Sequence, residues 1–438
     1  MRNSTKKWLS LALAALVIGG GLYYFSVEGA ATPVVSYKTP QESRDIYVRF
    51  VMEAYDTIRQ DFWASTTDAA MADYFQSSLQ KALNTPVVPV LSTDDRAGTA
   101  AMLEDAFGQA TSSAAEKQLA LNTLIVALYD LPPVGHGELL SAKQETSFRQ
   151  NVSNVNPTKD LYQTLGLADG ASSTAVDEAY AAEARALAAS TTADAKAALA
   201  QAAYAKRVLD DPNTKNLYDT AKVEPTISTR IIGHTLYIGM SKIAPTTILE
   251  FGDAVLAAST TPLDSMIIDL RGNLGGALDF ATEFLGLFIG PNQYAYDLYH
   301  QGEYDPQRTD EPLFPELGRY KEIAILTDGM TQSTAELTAS EMKRFKLATL
   351  IGQTTRGWGT VENTFPLSTA IDPTESYSML LVHSLTLGTD NQPIQDNGVS
   401  PDVSVSDSRW KSELLKHFSS PGMVTAIEQA LSAPPIAP

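Results

Sequence analysis

The chain has 438 residues, 44% hydrophobic and 19% charged, with 14 Phe, 18 Tyr and 4 Trp; at roughly 100–200 residues per domain it holds two or three domains, and it is not a wholly disordered chain. Its 32 Lys plus Arg against 51 Asp plus Glu give a formal charge of −19, which repels phosphate backbones and argues against nucleic-acid binding. Cysteine is absent, which excludes disulfides, thiolate catalysis and Cys-ligated zinc or iron–sulfur centres.

Arg2, Lys6 and Lys7 precede an uncharged run, Trp8 to Phe25. Positive charge before such a run holds the N-terminus in the cytoplasm and sends the rest of the chain across a membrane. Residues 1–30 are expected to be a signal anchor or a signal peptide. Gly29, Ala30 and Ala31 suit cleavage, whereas Tyr23-Tyr24-Phe25 suits an interfacial anchor, and we read the segment as the anchor. The expected localisation is the cell membrane, single-pass, with the main body extracytoplasmic.

Residues 38–150 carry a helical pattern: Phe50, Val51, Ala54, Tyr55 and Ile58 recur at three and four residues, and Pro132-Pro133 stops the run. Residues 158–221 read as a second helical unit. Leu161-Tyr162, Leu165-Gly166-Leu167, Ala179-Tyr180, Val208-Leu209, Asp211-Pro212 and Tyr218-Asp219 resemble a J-domain. A working J-domain has a His-Pro-Asp tripeptide after a basic second helix. The stretch here is "AEARALAASTTADAKAAL", so the resemblance implies an antiparallel helical hairpin without chaperone stimulation.

From about Val223 the pattern changes. "TLYIGM" (235–240), "SMIIDL" (265–270), "EIAILTD" (322–328) and "ATLIG" (348–352) read as strands, with "SYSMLLVHSLTLG" (376–388) as a further one. "ALDFATEFLGLF" (277–288) and "STAELTASEMKRF" (333–345) read as helices. The expected fold class is α/β, a mostly parallel sheet covered on both faces and preceded by all-α domains. In such folds chemistry sits at the carboxyl ends of strands, in the turns that open helices. Gly272, Gly275 and Gly276 bring backbone amides to one such turn, where they suit an anion. In the other, Ser333-x-x-Glu336 reads either as a helix-capping box or as a nucleophile beside helix-start amides.

The order of several motifs resembles the C-terminal processing, or tail-specific, serine peptidases. They are Asp269-Leu270-Arg271-Gly272-Asn273-Leu274-Gly275-Gly276, Gly329-x-x-x-Ser333-x-x-Glu336, "LIGQTTRGWGTVE" (350–362), and Asn397-Gly398-Val399-Ser400-Pro401-Asp402-Val403. The resemblance covers about 223–433 and implies a ClpP/crotonase-like peptidase core over 223–438. It implies Ser333 as nucleophile, and an oxyanion hole from the Thr334 amide and one from the Gly275-Gly276 turn. The family's general base is a lysine in Gly-Lys-Gly, but here the tripeptide is Gly357-Trp358-Gly359. The tricorn type uses a histidine in the first strand, where this chain has Gly239. Glu362, which falls on the family's amide position, His383 and Lys242 are the candidate substitutes, and Glu362 is the one we carry forward as catalytic. Arg356 is a candidate for a peptide carboxylate. No peptide-selecting PDZ module is recognisable.

The function expected is that of an exported, membrane-anchored serine endopeptidase using acyl-enzyme chemistry. The alternative is an impaired pseudo-peptidase that binds extended peptides or partner proteins. A polypeptide is the expected partner, and nucleotide binding at "GNLGGA" is disfavoured because no Lys-Ser/Thr follows. The five histidines show no metal-ligand spacing, and no cofactor or metal is expected.

Overall fold

The computed structural model describes residues 45–435 apart from 189, 191, 389 and 390. The expected anchor, Trp8 to Phe25, lies outside them. Among the described residues, no helix is long and apolar enough to cross a membrane.

The chain opens with four helices, α1 (Ile46–Asp61), α2 (Asp68–Leu83), α3 (Arg96–Gly108) and α4 (Ser113–Asp130). Asp45, Thr67, Asp95 and Ser112 cap their first amides, as the local sequence dictates. A strand follows, β1 (Glu138–Ser141), then α5 (Ala142–Val152). The next unit consists of α6 (Leu161–Thr164), α7 (Ser173–Leu187), α8 (Ala193–Asp210) and α9 (Pro212–Ala221). Its core is Leu161, Tyr162, Val176, Ala202, Ala205, Val208, Leu209 and Tyr218. An antiparallel bridge between Val155 and Val223 closes its base, so both ends of this excursion return to one place.

The remainder alternates strands and helices: β2 (Ile227–Ile232), β3 (Thr235–Met240), α10 (Thr247–Ala257), β4 (Ser265–Asp269), α11 (Phe280–Ile289), β5 (Tyr294–His300), β6 (Glu303–Arg308), β7 (Glu322–Thr327), α12 (Thr334–Arg344), β8 (Thr349–Gly352), β9 (Thr360–Pro366), β10 (Tyr377–Thr386), β11 (Val403–Ser404), α13 (Trp410–His417) and α14 (Pro421–Ser432). Six strands form one sheet in the order β11-β8-β7-β4-β3-β2, parallel except for the β2–β3 pair. Every residue of β3 and β4 is buried. One face packs on α10, α11 and α12 through Leu236, Ile238, Met266, Ile268, Ile325, Phe251, Phe284 and Met342. The other packs on α13 and α14 through Tyr237, Ile267, Ala324, Leu326, Ile351, Leu414 and Ile427. A sheet covered on both faces needs continuous apolar strands, and these strands have them.

Two expectations are corrected. The segment 376–388 joins a second, five-stranded antiparallel sheet, in which β10 pairs with β1, β5 and β9. The N-terminal block is not all helical either: β1 belongs to that sheet, and α1–α4 share a core with Met379, Leu381, Val382 and Leu385 of β10. The apolar face of β10 thus completes the core of these four helices.

One consequence concerns pH. On α11, burial pushes the Glu283 carboxyl up to about 7, helped by Asp310, Asp279 and Glu311. A carboxyl whose folded pKa lies above its unfolded one binds its proton more tightly in the native state, so its contribution is full at low pH and is lost as pH rises from about 4.5 to about 7. Glu283→Gln is expected to flatten that slope and to stabilise the fold at pH 8 by about 1–2 kcal/mol. Urea unfolding at pH 5 and pH 8 checks it, and equal midpoint changes at both would refute it.

Candidate active site

Two turns leave the carboxyl ends of adjacent central strands, β4 and β7. The first is fastened at its root. Asp269, buried, accepts the Tyr237 hydroxyl at 2.7 Å and the Arg271 guanidinium at 2.6 Å. Arg271 also donates to the Ala430 carbonyl at 2.9 Å, tying the turn to the C-terminal helix. Buried Asn273 donates to the Met240 carbonyl at 2.9 Å, and its own oxygen accepts the Gly275 amide at 2.8 Å. Gly276, at φ +146°, lies where a Cβ would come within 1.8 Å of the Ile243 carbonyl, so no side chain fits. With the Gly275 amide held by Asn273, the Gly276 amide is the donor of this pair that the turn itself does not occupy.

The second turn is stitched to the first. Asp328 accepts the amides of Gly272, Met330 and Thr331, each at 3.0 Å. The Thr331 hydroxyl donates to the Leu270 carbonyl at 2.8 Å, and the Gln332 amide to the Asn273 carbonyl at 2.9 Å. The Thr334 hydroxyl donates to the Gly276 carbonyl at 3.1 Å. Contact between the bends is close: a Cβ on Gly275 would stand 2.7 Å from the Ser333 Cβ and 2.9 Å from the Thr334 nitrogen.

Ser333 has φ +56° and ψ −131°, a conformation that an L-residue adopts at a cost of roughly 1–3 kcal/mol. Ser333 and Glu336 stand in capping-box register, and the Glu336 amide donates to the Ser333 carbonyl at 2.8 Å. The glutamate is the hub. Fully buried, it accepts the amides of Ser333 at 2.9 Å, Trp358 at 2.7 Å and Gly357 at 2.6 Å, and the Thr355 hydroxyl. Burial pushes its carboxyl up while these donors pull it down. The amides of Ser333 and Trp358 converge on the same oxygen, which brings the Gly357-Trp358-Gly359 turn beside the serine. The Arg356 amide donates to the Thr331 carbonyl at 2.8 Å, while its side chain is exposed.

Glu362 sits on β9 and accepts the Trp358 indole N–H at 3.1 Å and the Thr360 hydroxyl at 2.5 Å. The same oxygen lies 3.4 Å from Nδ1 of His136, whose ring stacks on Trp358 with centroids 3.8 Å apart. His136 was not among the residues singled out from the sequence. A signal existed: it stands between Gly135, at φ +86°, and Gly137, where a Cβ would meet the Leu128 carbonyl at 2.5 Å, just past the double proline. Glycines required by such packing fix a loop and aim the side chain between them.

The other two candidates are engaged elsewhere. Nδ1 of His300 contacts the His383 carbonyl at 2.5 Å, and the two rings stack with centroids 4.3 Å apart. Burial pushes the His383 imidazole down to about 4, and the His300 charge adds to this. Lys242 donates to Asn151 at 2.5 Å, and burial lowers its ammonium. Among the described residues, no group of three or more acidic or histidine side chains is arranged to hold a metal.

Residues 234–405 match the model of peptidase family S41. The carboxy-terminal processing protease CtpA of Bacillus subtilis is 27% identical over 186 residues, covering 42% of this chain and 38% of that one. A probable CtpA-like serine protease of Staphylococcus aureus is 27% identical over 175 residues, covering 40% and 34%. The chain thus spans less than two fifths of the length of these curated relatives. Among solved structures, a photosystem II D1 C-terminal processing protease aligns with a TM-score of 0.47 and 13% identity, over 82% of this chain and 93% of that one. Two adjoining strand-end turns that join a strained serine to a glycine bend thus lie within the segment, residues 234–405, that matches peptidase family S41 and is similar to carboxy-terminal processing proteases.

Proposed function

We propose that the chain is a serine endopeptidase acting on extended or tail segments of polypeptides through an acyl-enzyme on Ser333. One observation carries this reading: a serine held at φ +56° with its Cβ against Gly275, on a helix whose first free amide belongs to Thr334. A serine used only as a cap sits in ordinary extended backbone and gains nothing from such strain. In the proposed chemistry the Ser333 oxygen attacks the scissile carbonyl, and the Thr334 and Gly276 amides receive the oxyanion. Gly275 keeps that turn against the nucleophile. The Trp8–Phe25 run anchors the protein, with the site on the extracytoplasmic side.

The test is covalent labelling of the full chain, purified in detergent, with a fluorophosphonate probe. Wild type is expected to label and Ser333→Ala to lose all labelling. Equal labelling of both would remove Ser333 from the mechanism. The mass of the mature membrane-bound protein checks the anchor. A second reading, a peptide-binding pseudo-peptidase, is favoured by Trp358, because an indole accepts no proton. That reading expects no labelling in wild type together with retention of casein-like unfolded chains.

A further inference from the structure

We propose that His136, presented by the loop between α4 and β1, is the general base that takes the Ser333 proton, with Glu362 as the carboxylate that orients it. This rests on the acyl-transfer reading of Ser333. Three observations converge on it. The first is position. Trp358 shares a Glu336 oxygen with Ser333 through its amide and carries the His136 imidazole on its indole face, at 3.8 Å and 23° between planes. The imidazole therefore stands over the turn that lies beside the serine.

The second is the proton arrangement. The Thr360 hydroxyl donates to Glu362 at 2.5 Å, so its hydrogen is committed to the carboxylate. Its oxygen lies 2.9 Å from Nδ1 of His136 and is left as an acceptor. Nδ1 must then carry the hydrogen, with the Glu362 oxygen 3.4 Å behind it. In the neutral ring this leaves the lone pair on Nε2, the tautomer a general base requires. Nε2 has no hydrogen-bond partner among the described residues.

The third is surroundings. His136 is 9% exposed, held among the indole, Thr360 and Glu362 rather than free in solvent. A cation formed there meets a carboxylate at Nδ1 and the negative face of an indole. Trp358, useless as a base, thus serves as the platform for one.

The step balances without a co-reactant. Nε2 takes the hydroxyl proton as the serine oxygen bonds to the scissile carbonyl carbon, and the carbonyl π pair moves onto oxygen beside the Thr334 and Gly276 amides. Collapse of that oxyanion breaks the C–N bond, and the imidazolium returns its proton to the departing amine. Water then enters: His136 removes its proton as the water oxygen bonds to the acyl carbon, the second oxyanion collapses to break the acyl–serine bond and release the carboxylic acid, and the imidazolium returns its proton to the Ser333 oxygen.

The experiment measures the second-order rate of fluorophosphonate labelling and of peptide hydrolysis by the full chain in detergent. His136→Gln is expected to slow both by about 10²–10⁴-fold with an unchanged unfolding temperature. Added imidazole is expected to restore at least about tenfold to His136→Gly, which a purely structural histidine would not permit. Glu362→Gln, which keeps the ring and its stack, is expected to slow labelling by about tenfold or more. Wild-type rates in His136→Gln, with labelling still lost in Ser333→Ala, would overturn His136 and leave the nucleophile standing. Absence of labelling in wild type would overturn both. Should His136→Gln fail to fold, an unchanged rate in Glu362→Gln would overturn the assignment.

Discussion

Glu336→Ala is expected to lower folding stability by about 3–5 kcal/mol and to abolish labelling of Ser333. The carboxylate is buried and satisfies four donors: the Ser333, Gly357 and Trp358 amides and the Thr355 hydroxyl. Alanine leaves all four without acceptors in a place water reaches poorly, at about 1–3 kcal/mol for each that stays unpaired. Relaxation of the 355–359 turn recovers part of that, but the same movement carries Trp358 away from the serine. Glu336→Gln keeps the volume yet turns one oxygen into a donor facing donors, so a loss of about 2 kcal/mol is expected. Urea unfolding with intact-protein labelling measures both effects. A midpoint within error of wild type for Glu336→Ala would show that the carboxylate is not the hub described.

Gly275→Ala is expected to reduce acyl transfer by about 10²–10³-fold, as loss of an oxyanion donor does. Two causes act together. At φ +81° an L-residue is strained, and its Cβ would stand 2.7 Å from the Ser333 Cβ and 2.8 Å from the Gln332 carbonyl. Neither neighbour is a flexible side-chain end, so the bends must separate, and the Gly276 amide moves with the glycine turn. Gly272→Ala supplies the control. Gly272 has φ +72° but nothing within 4 Å of its would-be Cβ. It should lose about 1–2 kcal/mol of stability from backbone strain alone and keep near-normal labelling. Equal labelling of Gly275→Ala and wild type would show that the two bends do not act as one site.

Much of the parallel sheet is legible along the chain. The runs at 235–240, 265–270, 322–328 and 348–352 become β3, β4, β7 and β8, neighbours in one sheet. Buried parallel strands must be apolar throughout, which leaves a mark needing no long-range information. Helix starts are similarly local, because capping residues act within three positions. The antiparallel sheet is less visible. Its β6, "EYDPQR", is almost wholly exposed, and β10 mixes buried Met379, Leu381 and Val382 with half-buried Leu380 and His383. Which core β10 serves depends on α1–α4, some three hundred residues earlier.

What the amino-acid order determined on its own was the set of strand-end turns and their residue types: glycines in one, Ser333 and Glu336 in the other, Trp358 in a third. These follow from local rules of backbone freedom and capping. Only the tertiary structure decided which of these groups meet. The carboxylate of Glu336 gathers two turns because burial leaves their donors no water to bond, and His136, more than two hundred residues from Trp358 in sequence, reaches its indole because the helical block closes its core on β10. Contacts made by packing between distant segments carry no local signature, and the grouping of His136 with Trp358 and Glu362 is such a contact.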